Sequence, residues 1–115
     1  MNLNEINNID ELNNFIKNTQ NKMIVIDFYA TWCKPCMELS EDFKQLSNIY
    51  NDILFLKINV DEIDDIMDIY EIEKLPTFII LQDSDIIKKF EGASSLPEVK
   101  NFLNKNIKFE LNDNF

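Results

Sequence analysis

The sequence predicts an α/β domain in which strands and helices alternate along the chain. Three apolar runs, at 23–30, 53–60 and 78–81, have the length and the Ile, Val, Leu and Phe content of buried strands. The segments around these runs place apolar residues at helical spacing, which predicts helices that bury one face. The 115 residues, 45% hydrophobic and 28% charged, suit one globular domain with one core.

The first elements are predicted to be a short strand and a capped helix. Residues 3–6 could form an edge strand. Asn8 can then cap a helix, with Glu11 at the third helical position reaching back in a capping box. The helix should fade near residues 19–21, and its buried face is predicted to contain Ile9, Leu12, Phe15 and Ile16.

Asp27 breaks the apolar run at 23–30. A buried carboxylate without a partner is costly, and it responds by raising its pKa and taking up a proton. Two interpretations are open: Asp27 lies at an exposed strand end, or it is a proton acceptor beneath the two cysteines that follow the strand.

Cys33 and Cys36, the only cysteines of the chain, stand where the strand gives way to a helical pattern. At a helix N-terminus, unpaired N–H groups and the helix dipole favour the thiolate of Cys33. Cys36 lies one turn further in, so one sulfur can attack and the other can resolve. Pro35 suits the first helical turn, and Lys34 adds positive charge beside the attacking sulfur. The spacing therefore predicts a dithiol redox site.

Two other interpretations of the cysteine pair are weaker. A zinc site needs about four ligands, whereas the chain has no histidine and no further cysteine. A purely structural disulfide, or a pair of inert thiols, is less favoured because so short a loop constrains the unfolded chain little.

A helix is predicted from Cys33 to about Tyr50, followed by the strand at 53–60, which Lys57 interrupts. Lys57 either extends its ammonium group to solvent or pairs with Asp27 near the cysteines. The inward positions of the helix are Leu39, Phe43, Leu46 and Tyr50.

The second half of the chain is predicted to contain two more helices and a hairpin. Asp61 would cap a helix that buries Ile63, Ile66, Met67 and Tyr70. Its acidic residues form a solvated face, not a metal site, because helical spacing disperses the carboxylates of Glu62, Asp64, Asp65 and Asp68. A polar turn at 82–85 joins two strands. Ser95 and Glu98 form a capping box for the last helix.

Four motifs occur in an order and at a spacing that resemble the thioredoxin family, most closely its eukaryotic cytosolic members. They are DFYATWCKPC at 27–36, KINVDE at 57–62, LPTF at 75–78 and FEGA at 90–93. The resemblance spans roughly residues 20–105. It implies a thioredoxin fold, a central mixed sheet of about five strands flanked by about four helices. We expect a thioredoxin domain at 1–105 and a C-terminal extension at 106–115.

The resemblance also implies roles for individual residues. Asp27 matches a buried aspartate that helps to deprotonate the resolving cysteine, and Lys57 matches a lysine that pairs with it. Pro76 matches a cis proline facing the cysteines, and Leu75 a residue whose backbone meets the substrate. The implied docking surface comprises Trp32, Lys34, Pro35, Leu75, Pro76 and Gly92.

Three positions depart from the family pattern. Lys34 replaces the usual glycine, which should stabilise the thiolate and make the disulfide more oxidising. Glu41 replaces a proline that kinks the helix, so we expect a straighter helix. Ser84 replaces a glycine in the hairpin turn, while Gly92, the only glycine of the chain, suits a positive φ.

The implied function is protein disulfide reduction by dithiol–disulfide exchange, a part of cell redox homeostasis. No bound cofactor is expected, because a flavin-containing thioredoxin reductase would supply electrons from NADPH. Peroxiredoxins or ribonucleotide reductase are the expected clients. A net charge of −10 argues against nucleic acid and anionic membranes as partners. We expect a monomer. A cytoplasmic location is expected because the N-terminus resembles no signal peptide, unless an upstream leader was removed.

Two rival functions remain open on the sequence. The chain could be a disulfide oxidant or isomerase, which Lys34 favours and the acidic composition without a signal sequence does not. It could also be a binding or scaffold subunit of thioredoxin fold, whose partner contacts matter more than its cysteines, because a fold does not fix a function.

Overall fold

A five-stranded mixed sheet is the centre of the computed structural model, which describes residues 3–112, with side chains for 3–107. The strand order is β1-β3-β2-β4-β5; β1, β3 and β2 are parallel, and β4 and β5 continue the sheet in antiparallel pairs. This confirms the predicted mixed sheet. The strands are Leu3–Ile6 (β1), Met23–Tyr29 (β2), Leu54–Asn59 (β3), Thr77–Gln82 (β4) and Asp85–Glu91 (β5).

Four α-helices cover the two faces of this sheet, as predicted. Residues of α1 and α3 pack with Ile24, Ile26 and Phe28 of β2, while α2 and α4 pack with Met23 and Val25 on the opposite face. Every residue of β2 is buried, because the strand has neighbours on both edges and helices on both faces. The helices are Ile9–Asn18 (α1), Lys34–Ile49 (α2), Ile66–Ile69 (α3) and Leu96–Asn112 (α4).

The cap of α1 confirms Asn8 as the N-cap, while the return bond of the predicted box falls on Asn7, one residue earlier than Asn8. Asn8 Oδ1 accepts a hydrogen bond from the Glu11 N–H at 2.9 Å, and Glu11 Oε1 accepts one from the Asn7 N–H at 2.8 Å. The box predicted for α4 shows the same offset, with the return bond on Ser94 instead of Ser95. Glu98 Oε1 accepts from the Ser94 N–H at 2.9 Å, while Ser95 Oγ lies 3.3 Å from the same oxygen.

The cap predicted for the third helix was wrong. Asn59 Oδ1 accepts from the Asp61 N–H at 3.0 Å, and the chain forms a 3₁₀ turn, Val60–Glu62. α3 begins only after Asp65, whose positive φ of 61° separates the two turns, and no side chain caps it. Of the predicted apolar face, Ile63 and Ile66 are buried, whereas Met67 and Tyr70 are half-buried.

Two positions that depart from the family pattern, Ser84 and Glu41, can be placed in the structure. Ser84 takes a φ of 76° in the two-residue hairpin turn. α2 runs through Glu41 without interruption, while the straighter course of this helix stays a prediction.

At the C-terminal end, α4 continues past residue 105, and Ile107 is buried in the core. The division of the chain at 106 stays a prediction, and residues 113–115 lie outside the described part.

Candidate active site

Cys33 and Cys36 form a disulfide at the N-terminus of α2, with Cα atoms 5.3 Å apart. β2 ends at Tyr29, and Cys33 is the N-cap of α2, where its Sγ accepts a hydrogen bond from the Cys36 N–H at 3.3 Å. When the pair is reduced, this N–H and the dipole of the 16-residue helix favour negative charge on Cys33. The local geometry therefore fits the expected role of Cys33 as the thiolate of the pair.

The two sulfur-bearing residues differ in their access to solvent. Cys33 is 7% exposed and lines a surface groove, whereas Cys36 is 2% exposed and is not part of the groove lining. A nucleophile needs access to its target and a resolving thiol needs only its neighbour. The geometry thus fits attack by Cys33 and resolution by Cys36.

The groove beside Cys33 has a volume of about 490 Å³ and a mostly apolar wall. Of the residues predicted for docking, Trp32, Pro35, Leu75 and Gly92 line it. Its lining consists of Trp32, Cys33, Pro35, Met67, Glu73, Lys74, Leu75 and Gly92.

Two predicted docking residues lie outside this lining. The Lys34 side chain is exposed beside the groove, because it points away from the core at the first helical turn. Pro76 follows a cis peptide bond, as predicted, but it is buried, and its carbonyl accepts a hydrogen bond from the Gly92 N–H at 2.8 Å. Pro76 thus joins two walls of the groove from beneath.

Met67, Glu73 and Lys74 also line the groove and were missed in the sequence. Glu73 and Lys74 directly precede Leu75 of the LPTF motif, and this adjacency could have indicated that they also line the groove. Met67 was assigned to the core from its helical spacing alone. It is only half-buried, and its remaining surface contributes to the groove.

Trp32 is 70% exposed, and a hydrogen bond holds it in place. Its indole Nε1–H donates to Asp61 Oδ2 at 2.9 Å, from the turn that follows β3. Asp61 therefore orients the indole at the groove instead of capping a helix.

Gly92 has a φ of 76°, which confirms the predicted positive value. A side chain there would be strained, and its Cβ would lie 3.4 Å from Lys74 Cδ. Glycine thus keeps β5 close to the opposite wall of the groove.

Asp27 is 2% exposed, and its Oδ1 has no hydrogen-bond partner in the described part of the chain. This excludes the exposed strand end. Burial raises the pKa of Asp27 to about 7, against the opposing positive charge of Lys57 and with a smaller contribution from the Glu5 carboxylate. Asp27 can therefore gain and lose a proton near neutral pH.

Of the two interpretations of Lys57, pairing with Asp27 is found only as the effect of its charge on the Asp27 carboxyl, not as a direct ion pair. The two residues are neighbours in the register of β2 and β3, but no ion pair between them occurs in the described structure. Instead, Lys57 Nζ donates to Ser40 Oγ at 2.7 Å and lies 4.5 Å from the ring centroid of Tyr29. The ammonium group is thus bound by the Ser40 hydroxyl and the Tyr29 ring. Its positive charge acts on the Asp27 carboxyl from a distance, without an ion pair.

Neither a metal site nor a membrane span is found in the described residues. No group of three or more His, Cys, Asp or Glu side chains there is placed to hold a metal ion. No helix in that part of the chain is both long and apolar enough to cross a bilayer.

The charge at Lys34 is expected to set part of the reduction potential. Lys34→Gly should make the potential of the Cys33–Cys36 couple more negative, because the ammonium group stabilises the thiolate and hence the reduced form. Equilibration with a glutathione buffer measures the potential. Lys34→Gln should move it in the same direction, whereas Lys44→Gln, an equal charge change further along α2, should move it less. An unchanged or less negative potential in both Lys34 variants would contradict the expectation.

Comparisons with known proteins indicate the thioredoxin family. The model of the thioredoxin family matches residues 5–105. The chain is 38% identical over 78 residues to Thioredoxin-1 of Caenorhabditis elegans, covering 68% of each chain. It is 41% identical over 90 residues to mitochondrial Thioredoxin-3 of Saccharomyces cerevisiae, covering 78% of this chain and 69% of the relative. The crystal structure of the reduced thioredoxin pre-protein of Schistosoma mansoni superposes with a TM-score of 0.83 at 32% identity, covering 91% of this chain and 98% of the other.

Proposed function

This chain belongs to the thioredoxin family and is a protein disulfide reductase, and from that premise we propose how its residues divide the reaction. The observation that carries the proposal is the Cys33–Cys36 disulfide at the start of α2, with Cys33 alone of the pair facing the groove. Cys33 is the nucleophile, Cys36 is the resolving thiol, and Asp27 is the proton acceptor for Cys36.

The first half of the reaction joins the two proteins. The Cys33 thiolate attacks one sulfur of a client disulfide, the client S–S bond breaks, and a mixed disulfide with Cys33 forms. The second client sulfur leaves as a thiolate and takes a proton from solvent. The Cys36 N–H that points at Cys33 Sγ, at 3.3 Å, favours the attacking thiolate at this stage.

The second half releases the client. Cys36 passes its proton to Asp27 and attacks Cys33 Sγ, which expels the remaining client sulfur and forms the Cys33–Cys36 disulfide. Two electrons have then moved from the cysteine pair to the client. A pKa of about 7 suits Asp27 to this step, because its carboxylate form is populated near neutral pH and can still be protonated.

The groove supplies the docking surface for an extended client segment. Trp32, Leu75 and Gly92 offer an apolar wall beside the nucleophile, and Asp61 holds the indole at 2.9 Å. Disulfide-containing proteins are therefore the client class. Peroxiredoxins and ribonucleotide reductase are proposed clients, and the chain is proposed to act as a cytoplasmic monomer in electron transport and redox homeostasis.

No bound cofactor is needed for this exchange, because the cysteine pair itself holds the electrons. A flavin-containing thioredoxin reductase is the proposed source of electrons, with NADPH as its reductant. Basic partner surfaces are favoured, since the chain has a net charge of −10.

NADPH-coupled turnover tests the proposed function. With a thioredoxin reductase and a model protein disulfide, the wild-type chain should sustain NADPH consumption that stops when chain, reductase or client is omitted. The experiment follows NADPH absorbance together with the appearance of client thiols. Client reduction by chemically reduced chain, with no turnover through the reductase, would contradict the proposed electron source alone. Failure in both assays would favour the scaffold function.

A further inference from the structure

The segment before β4 forms one wall of the groove. Glu73, Lys74 and Leu75 line the groove within a stretch that has no strand neighbour. Backbone N–H groups outside helices and sheets need other partners if their chain is to keep one conformation. The partners of this wall therefore decide how well its shape is fixed.

Glu91, the last residue of β5, supplies two of these hydrogen bonds. Its Oε1 accepts from the Glu73 N–H at 2.7 Å and from the Lys74 N–H at 3.1 Å. The hydrogen bond from Glu73 lowers the pKa of the Glu91 carboxyl, with further contributions from Lys74 and Lys89 against the effect of burial. The carboxylate is therefore charged at neutral pH, and its hydrogen bonds to the wall are charge-assisted.

Lys89 connects the same strand to the wall a second time. Its Nζ donates to the Glu71 carbonyl at 2.6 Å and lies 3.7 Å from Glu91 Oε2. The lysine thereby orients the carboxylate whose other oxygen accepts from the wall. Two neighbouring side chains on one face of β5 thus hold the backbone at three positions between 71 and 74.

Glu91 also adjoins the opposite wall. The next residue, Gly92, lines the groove, and its N–H donates to the Pro76 carbonyl at 2.8 Å. In the β4–β5 register, Glu91 pairs with Thr77, so the start of one strand and the end of the other are fixed together. Glu91 is thus hydrogen-bonded to the segment that contains Lys74 and is next in the chain to Gly92 on the other wall.

We propose that Glu91 is a positioning residue that fixes the width of the client groove by holding the backbone N–H groups of Glu73 and Lys74. Because Glu91 bonds to the backbone of a groove wall and does not itself line the groove, its effect falls on client docking and not on sulfur exchange. The inference rests on the proposed function, because the groove is taken as the client site.

Two variants and one matched control test the proposal. Glu91→Ala removes the oxygen that accepts both wall hydrogen bonds, Glu91→Gln keeps one acceptor oxygen without charge, and Asp85→Asn removes an exposed charge from the other end of β5. For Glu91→Ala we expect KM for the protein client to rise about tenfold, the equivalent of one lost hydrogen bond, with kcat kept. Glu91→Gln should be intermediate, and the rate with a small-molecule disulfide should not change in any variant.

Hydrogen exchange supplies a readout that does not depend on turnover. The Glu73 and Lys74 amides should exchange faster in Glu91→Ala than in the wild type, while the amides of β2 should not. Wild-type turnover with the same KM in Glu91→Ala and Asp85→Asn would overturn this inference alone. Equal losses with protein and small-molecule disulfides would also overturn it, because the defect would then lie in the chemistry. A wild-type chain without client reduction would overturn both proposals.

Discussion

Replacing Cys33 with serine is expected to abolish client reduction. A hydroxyl group has too high a pKa to be ionised at neutral pH and cannot form a disulfide, so the first step of the exchange is lost. We expect kcat/KM to fall by at least about 10³-fold, in the range found when a catalytic nucleophile is removed. The coupled NADPH assay and direct thiol release from the client both measure this loss.

Cys36→Ser is the matched variant, because it changes one sulfur and leaves the groove-lining nucleophile in place. Cys33 can still attack, but nothing resolves the intermediate, so a covalent complex with the client should accumulate and be visible by mass spectrometry without reductant. Cys33→Ser should form no such complex. Retained turnover in Cys33→Ser, or a complex formed through Cys36 in that variant, would reverse the assignment of the two cysteines.

Replacing Asp27 with asparagine is expected to change the pH dependence of stability. Well below pH 3.8 the carboxyl group is neutral in the folded and the unfolded state, and its burial costs little stability. As the pH rises, the unfolded chain loses this proton near 3.8 while the folded chain keeps it until about 7. The raised pKa therefore removes stability from the folded state across this window, up to about 4 kcal/mol above pH 7.

Urea unfolding of the oxidised chain at pH 4 and pH 8 measures this effect. Stability of the wild type should fall with pH relative to Asp27→Asn, so that the difference between the two grows by up to about 4 kcal/mol. Asp52→Asn, at an exposed turn, should follow the wild type. Parallel curves for wild type and Asp27→Asn would show that Asp27 is not the titrating group. In the reduction assay, Asp27→Asn should slow the release of the client and leave the attack by Cys33 intact.

Features set by near neighbours in the chain could be predicted from the sequence. Asn8 as N-cap depends on a three-residue spacing to the Glu11 N–H, and Cys33 as N-cap depends on the same spacing to the Cys36 N–H. The burial of Asp27 was predicted as one of two interpretations, because the run of apolar residues on both sides left few other places for this strand.

Features that join distant parts of the chain were missed for one physical reason. Asp61 binds Trp32 across 29 positions, Lys57 binds Ser40 across 17, and Glu91 binds the Glu73 N–H across 18. Asp61 had a local interpretation as a helix cap, Lys57 was assigned to solvent or to Asp27, and Glu91 was assigned no partner. The actual partner of each side chain depends on how the sheet and loops bring remote segments together, which local spacing does not specify.

Cys33 and Cys36 are the only two cysteines of the chain, and they are joined in one disulfide. Each molecule therefore carries one pair of electrons when reduced and none when oxidised. It has no second dithiol that could supply electrons in the meantime. Oxidation of Cys33 beyond the disulfide state would remove the entire capacity of that molecule. The rate at which this chain delivers electrons is thus set by its concentration and by how fast its disulfide is reduced again. No second dithiol in the same molecule can add to that rate.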